Sequence, residues 1–307
     1  MAKTFPAFYR EKQPVISFEV FPPRDPAAEE RFWRVLPELV NLRPDFITVT
    51  YGAMGSTRDR TIEIAARVKA QFGLETACHL TCVGASRGEL TEIITEIYSR
   101  GIRNIVALRG DPPKGETEFR PPADGFSHAN ELVAHIRQLE RENNWERLGI
   151  AVAGYPEKHQ EAPDMDTDLR YLKQKVETGA DVVITQLFFD NRDFYRFRER
   201  AQAIGIQVPI VPGLMPILSA RQIRRITTMC GASIPPPLAE ELARAEGDDA
   251  LAEQIGVRQC IEQASDLLRN GVPGIHFYVL NRSSHMRAVM AALRPVIEEV
   301  LRVPEQA

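Results

Sequence analysis

Short apolar runs alternate with amphipathic stretches along the whole chain. Eight runs rich in β-branched and aromatic residues predict buried strands, because a strand covered on both faces is apolar without alternation. Between them, apolar residues recur every three or four positions, as in helices that bury one face. The predicted strands are Val15–Phe21, Phe46–Tyr51, Glu75–Val83, Asn104–Gly110, Leu148–Tyr155, Asp181–Phe189, Val208–Leu214 and Gly274–Asn281. The predicted helices are Ala27–Leu42, Thr61–Phe72, Arg87–Arg100, Ala129–Glu140, Asp168–Thr178, Phe194–Ala203, Ala220–Cys230, Arg258–Asn270 and Ser284–Val300.

This strict alternation predicts a (β/α)8 TIM barrel, since most strands start roughly 30 residues apart, the length of one strand–helix unit. We expect residues 1–307 to form a single domain, with an N-terminal arm over about residues 1–14 and an insertion at about 232–256. A doubly wound sheet is the alternative, but its G-x-G-x-x-G fingerprint is absent from the sequence. Helix starts carry their own signals: Ser86 with Glu89, and Ser219 with Gln222, have the spacing of capping boxes.

Two connections are longer than plain turns. Residues 111–127 follow the fourth strand, at the barrel end where active sites form, so a functional loop is expected there. Residues 232–256 combine a proline run with an acidic helical stretch. An added surface helix is the simpler interpretation of this second connection.

Composition excludes several classes of protein. The formal net charge of -4 offers no basic face for nucleic acid, and 44% hydrophobic residues can bury a large core. Four scattered cysteines favour buried thiols over a disulfide framework or a zinc site. The first 15 residues lack the apolar core of a signal peptide, and no apolar run approaches the roughly 18 residues of a membrane span. We therefore expect a cytoplasmic protein with no membrane association.

The end of the first predicted strand carries an isolated acid. Period-two alternation places Ser17, Glu19 and Phe21 on one face of this strand. Burial disfavours charge, so we expect the Glu19 carboxyl to favour its protonated form and to serve as a general acid near neutral pH. A structural carboxyl paired with an arginine explains the same pattern.

Other strand ends carry polar residues whose roles stay open at this point. Thr50 suits the close approach of a ligand, although threonine is also an ordinary strand former. His79 is either a ligand contact or a hydrogen-bonded core residue. Arg109 and Asp111 flank Gly110 before the long loop, either as binding groups or as a mutual salt bridge.

Two enzyme classes lose support from the same residues. A Schiff-base aldolase needs a desolvated lysine at a strand end, and Lys158, the nearest candidate, lies in a polar stretch. A metal hydrolase needs clustered histidines and carboxylates, whereas the six histidines are dispersed, so no metal is expected. The remaining hydroxyls, amides, aromatics and arginine suit a large flat ligand, with redox chemistry supplied by a cofactor.

Eight motifs, in one order along nearly the whole chain, resemble those of the methylenetetrahydrofolate reductase family. No single motif identifies the family. The resemblance rests on all eight motifs occurring in the same order as in the family. The motifs are Phe18–Pro23 (FEVFPP), Thr48–Ala53 (TVTYGA), His79–Cys82 (HLTC), Leu108–Pro112 (LRGDP), Tyr155–His159 (YPEKH), Ile184–Asp190 (ITQLFFD), Pro212–Pro216 (PGLMP) and His276–Arg282 (HFYVLNR).

The resemblance implies an FAD-containing barrel that reduces 5,10-methylenetetrahydrofolate to 5-methyltetrahydrofolate with NADH or NADPH, by a ping-pong mechanism. Glu19 matches the family's general acid, which protonates the bridging nitrogen of the folate. Asp111 matches the family's acid that lies beside the flavin and the pterin. Gln186 matches an amide that contacts the folate and the nucleotide in turn. Gln222 and Arg282 match folate contacts, and Arg282 suits a carboxylate of the glutamate tail.

The resemblance also implies the residues that hold the flavin. His159 and Lys175 would neutralise the diphosphate, and Asp168 would accept a hydrogen bond from a ribose hydroxyl. The full set is Thr50, Tyr51, Ala53, His79, Arg109, Gly110, Asp111, Ala129, Tyr155, His159, Asp168 and Lys175. The chain departs from relatives on the adenine side, with His128 in place of an aromatic residue and Tyr171 and Gln174 in place of polar or basic ones.

Two other functions remain open: a pterin-binding barrel that transfers a methyl group without flavin, and another flavin barrel such as a proline dehydrogenase. The resemblance implies a homo-oligomer, as a tetramer, acting in one-carbon metabolism and methionine biosynthesis. It covers the catalytic barrel only, so the regulatory domain of eukaryotic relatives, with its feedback control by S-adenosylmethionine, is not expected.

Overall fold

The computed structural model describes residues 2–51, 58–112 and 119–302. Within these ranges the chain forms nine strand segments and eleven helices. The strands are β1 (Val15–Val20), β2 (Phe46–Val49), β3 (Glu75–Thr81), β4 (Asn104–Leu108), β5 (Gly149–Gly154), β6 (Val182–Thr185), β7 (Ile210–Val211), β8 (Gly213–Leu214) and β9 (Gly274–Tyr278). The helices are α1 (Phe5–Glu11), α2 (Pro26–Val40), α3 (Arg58–Phe72), α4 (Arg87–Ser99), α5 (Ala129–Glu142), α6 (Met165–Glu177), α7 (Asn191–Ala203), α8 (Ala220–Cys230), α9 (Pro236–Arg244), α10 (Asp249–Arg269) and α11 (Ser284–Arg302).

The strands form one parallel sheet that closes as a barrel, which confirms the predicted TIM-barrel fold. Their order is β7-β6-β5-β4-β3-β2-β1-β9-β8, and β7 and β8 are consecutive pieces of the chain. The predicted seventh strand is therefore wrong as one unbroken element. Pro212 interrupts it because proline has no N–H to donate to a ladder. The Pro212 carbonyl still accepts from the His276 N–H (3.0 Å), so the barrel holds together at the break.

The predicted N-terminal arm contains a helix that the sequence did not suggest. Helix α1 lies under the barrel, where Phe5 and Phe8 pack against Phe46 with ring centroids 5.1 and 5.2 Å apart. Asn104 fixes its start, accepting from the Phe5 N–H (2.7 Å) and donating to the Lys3 carbonyl (2.9 Å). The N-terminal ends of the strands are thereby covered, and ligands approach the barrel from the opposite end.

The predicted insertion is more helical than expected. It holds α9 and the first turns of α10, which begins at Asp249 rather than at Arg258. Leu238 and Leu242 of α9 belong to a satellite apolar cluster with Ile217 and other residues of the loop after β8. A Cβ at Gly256 would lie 2.1 Å from the Ile217 carbonyl oxygen, so only glycine allows α10 to approach this closely.

In the described part of the chain, no helix combines the length and the apolar composition needed to cross a lipid bilayer.

Candidate active site

A cavity of about 1200 Å³ opens at the carboxyl ends of the strands. Active sites of TIM barrels form at this end, from the loops that follow the strands. The volume exceeds the 300–1,000 Å³ typical of pockets for drug-sized ligands. The cavity therefore has room for a dinucleotide-sized molecule together with part of a second ligand.

At one side of the cavity, Glu19 is buried with two histidines. Its Oε2 atom lies 3.2 Å from His276 Nε2 in hydrogen-bond geometry, and 3.1 Å from His79 Nε2 without hydrogen-bond alignment. Thr48 Oγ1 donates a longer hydrogen bond to the same oxygen (3.4 Å). The strand order explains the meeting, because β1 pairs with β9, which carries His276, and with β2, which in turn pairs with β3, the strand of His79. Among the described residues, no arginine contacts this carboxylate, and its polar neighbours are the two histidines and Thr48.

These histidines reverse the expected titration of Glu19. Burial by itself raises the pKa of the carboxyl, as predicted from its apolar neighbours. The charge of His79 and the hydrogen bond from His276 outweigh burial and lower the pKa of Glu19 to about 2. The expectation that Glu19 is protonated in the free site is therefore wrong, because its strongest neighbours come from distant strands.

The acid belongs to a chain of three buried groups. Ser17 Oγ lies 2.8 Å from His276 Nδ1, on the side of the imidazole ring away from Glu19. Ser17 and His276 are register partners on β1 and β9 and are both fully buried. Because the ring is bonded at both nitrogens, its orientation toward Glu19 is fixed.

The loop after β4 carries another charged group that lines the cavity. Arg109 Nη2 donates to Glu161 Oε1 (2.7 Å), and Nη1 donates to Oε2 of the same carboxylate. This contact replaces the Arg109–Asp111 salt bridge considered above. Gly110 between them has φ +90°, and a Cβ there would lie 2.7 Å from Val83, so the loop requires glycine. Asp111 lines the cavity and stays exposed.

The opposite side of the cavity offers hydrogen-bonding groups and cations. The buried Asp168 carboxylate accepts from the His159 N–H (3.0 Å). Lys175 donates to the Ala153 carbonyl (2.6 Å), and burial lowers the pKa of its ammonium to about 8 against the opposing charge of Asp168. Burial likewise lowers the pKa of His159, whose Nδ1 accepts from the Glu161 N–H (3.1 Å). The proton of a neutral His159 ring is then on Nε2.

Beyond β9, the chain makes an unusual turn at the cavity rim. Leu280 and Asn281 both have left-handed φ values (50° and 54°), which is uncommon for residues other than glycine. The Asn281 side chain compensates by binding Phe21 twice, accepting from its N–H and donating to its carbonyl, each over 2.8 Å. Arg282 follows this turn, exposed, with no ion-pair partner in the described chain.

Most of the residues predicted for the site line this one cavity. Three described residues do not: Thr50 is buried beside it, Gln222 lies on the face of α8 that carries the lining residue Ile226, and Arg282 is exposed beyond β9. Ala53 lies outside the described residues. Those that do line it are Glu19, Tyr51, His79, Arg109, Gly110, Asp111, Ala129, Tyr155, His159, Asp168, Lys175 and Gln186.

Sequence reasoning missed several lining residues. Glu161 stands two positions after His159 in a polar loop, where no local pattern marks it. His276 and Tyr278 belong to a motif quoted above, and period-two alternation from Gly274 places both on the inner face of β9. The Tyr278 hydroxyl donates to the Thr185 carbonyl (2.7 Å). That alternation was the available signal for His276.

The lining residues fit a flavin dinucleotide. His79 Nε2 and Thr81 Oγ1 are buried at the cavity wall with no hydrogen-bond partner in the described residues. Buried polar atoms nearly always have partners, so a ligand with polar edges satisfies these two. Lys175 and Arg109 supply positive charge for a diphosphate, and Asp168 supplies an acceptor for a hydroxyl.

Two curated reductases are similar to this chain over most of its length. The 5,10-methylenetetrahydrofolate reductase of Escherichia coli (strain K12) is 38% identical over 278 residues, which cover 91% of this chain and 90% of that protein. Methylenetetrahydrofolate reductase (NADH) 1 of Arabidopsis thaliana is also 38% identical over 278 residues, and the chain spans about half of its length (46%).

A solved structure shares the fold at low sequence identity. An uncharacterized protein from Clostridium thermocellum that binds two copies of 5-methyl-5,6,7,8-tetrahydrofolic acid superposes with a TM-score of 0.58 at 17% identity, covering 95% of this chain and 98% of that one. At that identity the likeness concerns the fold alone. The sequence model described as methylenetetrahydrofolate reductase matches residues 4–294. From these matches, the chain belongs to the methylenetetrahydrofolate reductase family.

Proposed function

We propose that this protein reduces 5,10-methylenetetrahydrofolate to 5-methyltetrahydrofolate, using FAD and NADH or NADPH in a ping-pong mechanism. The observation that carries the proposal is one continuous cavity with two chemically different sides. One side holds the Glu19–His79–His276 cluster, and the other holds the cations and acceptors expected of a dinucleotide site. By resemblance we further propose a cytoplasmic homo-tetramer built from single-domain subunits.

The cofactor side of the cavity binds by charge and hydrogen bonding. Lys175, Arg109 and the His159 ring would hold the diphosphate of FAD, and Asp168 would accept from a ribose hydroxyl. Bound flavin supplies hydride-transfer chemistry that no side chain of the protein can provide. The residues of this chain orient the cofactor and cover it from water.

On the other side, Glu19 handles a proton. Opening the methylene bridge of the folate requires protonation of the bridging nitrogen, which then leaves the one-carbon unit able to accept hydride. A neutral His276 beside a protonated Glu19 differs from an imidazolium beside a carboxylate only by the position of one proton. A proton can therefore pass between the two groups along this hydrogen bond, although the carboxylate is ionised in the free site. Ser17 steadies the imidazole ring while the proton moves.

The shared cavity also supports alternating substrates. Gln186 lines the cavity, and its Oε1 already accepts from the Leu187 N–H (2.9 Å), which orients the amide. By resemblance, this amide contacts nucleotide and folate in turn. Since Glu19 serves only the folate, the half-reaction with the nucleotide needs no acid from the protein. This asymmetry makes the proposal testable one half-reaction at a time.

The test is an anaerobic two-step spectrum of protein reconstituted with FAD. Addition of NADH or NADPH is expected to bleach the visible flavin bands, and subsequent addition of 5,10-methylenetetrahydrofolate is expected to restore them. In Glu19→Gln, bleaching should survive, and recovery should slow by about 10²–10⁴, the usual effect of losing a general acid. Glu161→Gln is the matched control, because it removes another carboxylate of the cavity, which pairs with Arg109 and has no contact with the histidine cluster among the described residues.

Each other outcome contradicts the proposal in its own way. Equal slowing of both steps in Glu19→Gln would make Glu19 structural. Equal slowing of recovery in Glu161→Gln would mean that loss of any charge from the cavity slows the folate step, with no special role for Glu19. Bound flavin that ignores folate would favour another flavin barrel, such as a proline dehydrogenase. Failure to bind FAD at all would favour methyl transfer by a flavin-free pterin barrel.

A further inference from the structure

One wall of the cavity carries an exposed aromatic residue that the proposed chemistry does not use. Tyr171, on α6, is 53% exposed and lines the cavity. Among the described residues, no other aromatic ring stacks on it and no hydrogen bond holds its hydroxyl. Ligand cavities are lined largely by apolar and aromatic side chains, so this open ring in the cavity wall is a candidate ligand contact.

The neighbours of Tyr171 on its helix are one acidic and one basic side chain. Asp168 stands one turn before it and Lys175 one turn after it, and both line the cavity. Residues three and four positions apart share a helix face. An acceptor for a hydroxyl, a flat ring and a cation thus follow one another along a single stripe of α6. Opposite this stripe, the first turn of the neighbouring helix α5 contributes Ala129 and Asn130 to the cavity wall.

We propose that Tyr171 is the stacking platform for the purine ring of the dinucleotide, and that it determines the preference of this protein for FAD over FMN. This inference rests on the proposed function, since it assigns one end of the same cofactor. Asp168 and Lys175 flank Tyr171 on the same helix face, so a dinucleotide whose ribose and phosphates bind these two groups has its purine within reach of the exposed ring. Every base has a flat π-face, so stacking on an aromatic ring needs no base-specific hydrogen bonds. The Tyr171 ring can therefore make this contact by itself.

The experiment measures flavin binding and not turnover. Apoprotein of the full chain is dialysed to equilibrium against FAD or FMN, and bound flavin is read from its visible absorbance. Tyr171→Ala is expected to weaken FAD binding roughly 5- to 150-fold, the range found for loss of one stacked base. FMN binding should stay unchanged, because FMN has no purine. Tyr171→Phe should bind FAD like the wild type, whereas Tyr171→Leu, which keeps apolar area without a ring, should resemble Tyr171→Ala.

Leu301→Ala provides the matched control, since Leu301 is equally exposed (55%) on α11 and does not line the cavity. It should leave both affinities unchanged. Equal loss of FAD and FMN affinity in Tyr171→Ala would show a disturbed helix and overturn the inference. Unchanged FAD affinity in Tyr171→Ala would also overturn it, while leaving the proposed function intact. A wild-type protein that binds neither flavin would instead defeat the proposed function itself.

Discussion

Two arginines bind the same carboxylate, Asp181, with very different burial, and their removal should have very different consequences. Arg137 on α5 is buried, with a side chain only 6% exposed, and donates to Asp181 Oδ2 (2.7 Å). Arg147 is 61% exposed and donates to Asp181 Oδ1 (2.9 Å). We predict that Arg137→Leu destabilises the fold severely and that Arg147→Leu barely affects it.

The magnitude follows from what each arginine leaves behind. Arg137 also donates to the carboxylate of Glu140 (2.6 Å) and to the carbonyls of Leu148 and Gly179. Its loss leaves the buried carboxylate of Glu140 without its cation and leaves Asp181 with only the exposed Arg147, and breaking such a buried pair costs about 3–5 kcal/mol. Exposed ion pairs such as Arg147–Asp181 contribute about 0–1 kcal/mol. The free energies of unfolding of the two variants should therefore differ by several kcal/mol.

Urea unfolding followed by far-UV circular dichroism provides the measurement, with the slope m compared between variants. A lower midpoint at unchanged m in Arg137→Leu, with the midpoint of Arg147→Leu close to wild type, is the expected pattern. Similar losses in the two variants would refute the reasoning, because burial would then not set the cost. A loss below 1 kcal/mol in Arg137→Leu would refute it as well.

Two further predictions concern opposite ends of the barrel. In the proposed function the Lys175 ammonium binds a diphosphate and must be charged to do so, and burial lowers its pKa to about 8 despite nearby Asp168. FAD affinity, measured by equilibrium dialysis, should therefore fall by up to about tenfold per pH unit above about pH 8, while Lys175→Met should bind weakly without this pH dependence. Phe5 is fully buried under the barrel, so Phe5→Ala should lower the free energy of unfolding by about 3–5 kcal/mol, measured by thermal unfolding. The turnover rate of this variant well below its melting temperature should match that of the wild type, since the cavity lies at the other end of the barrel.

The sequence was sufficient to predict the barrel, because its strands are apolar on both faces and its helices are apolar on one face. It was less informative where a single residue overrides a pattern, as Pro212 does by dividing the seventh strand. Strand ends correctly indicated Glu19 as a buried acid at the cavity. The direction of its pKa shift was not accessible, because His79 and His276 meet Glu19 only through the pairing of β1 with β9 and, across β2, its proximity to β3. Glu161 was missed for a similar reason, since its partner Arg109 lies 52 positions away.

The Glu19–His276 contact joins the first strand of the barrel to the last, across 257 positions of sequence. During synthesis, β1 leaves the ribosome long before β9 is made. Until then, the edge of β1 that pairs with β9 has no partner strand, and Glu19 lacks its contact with His276. The acid cluster is completed only when β9 inserts between β1 and β8 and closes the ring. Contacts of such long range form slowly, because a long loop must close before they are gained. Assembly of the Glu19 cluster and closure of the barrel are thus one event, and an incompletely closed barrel lacks the cluster.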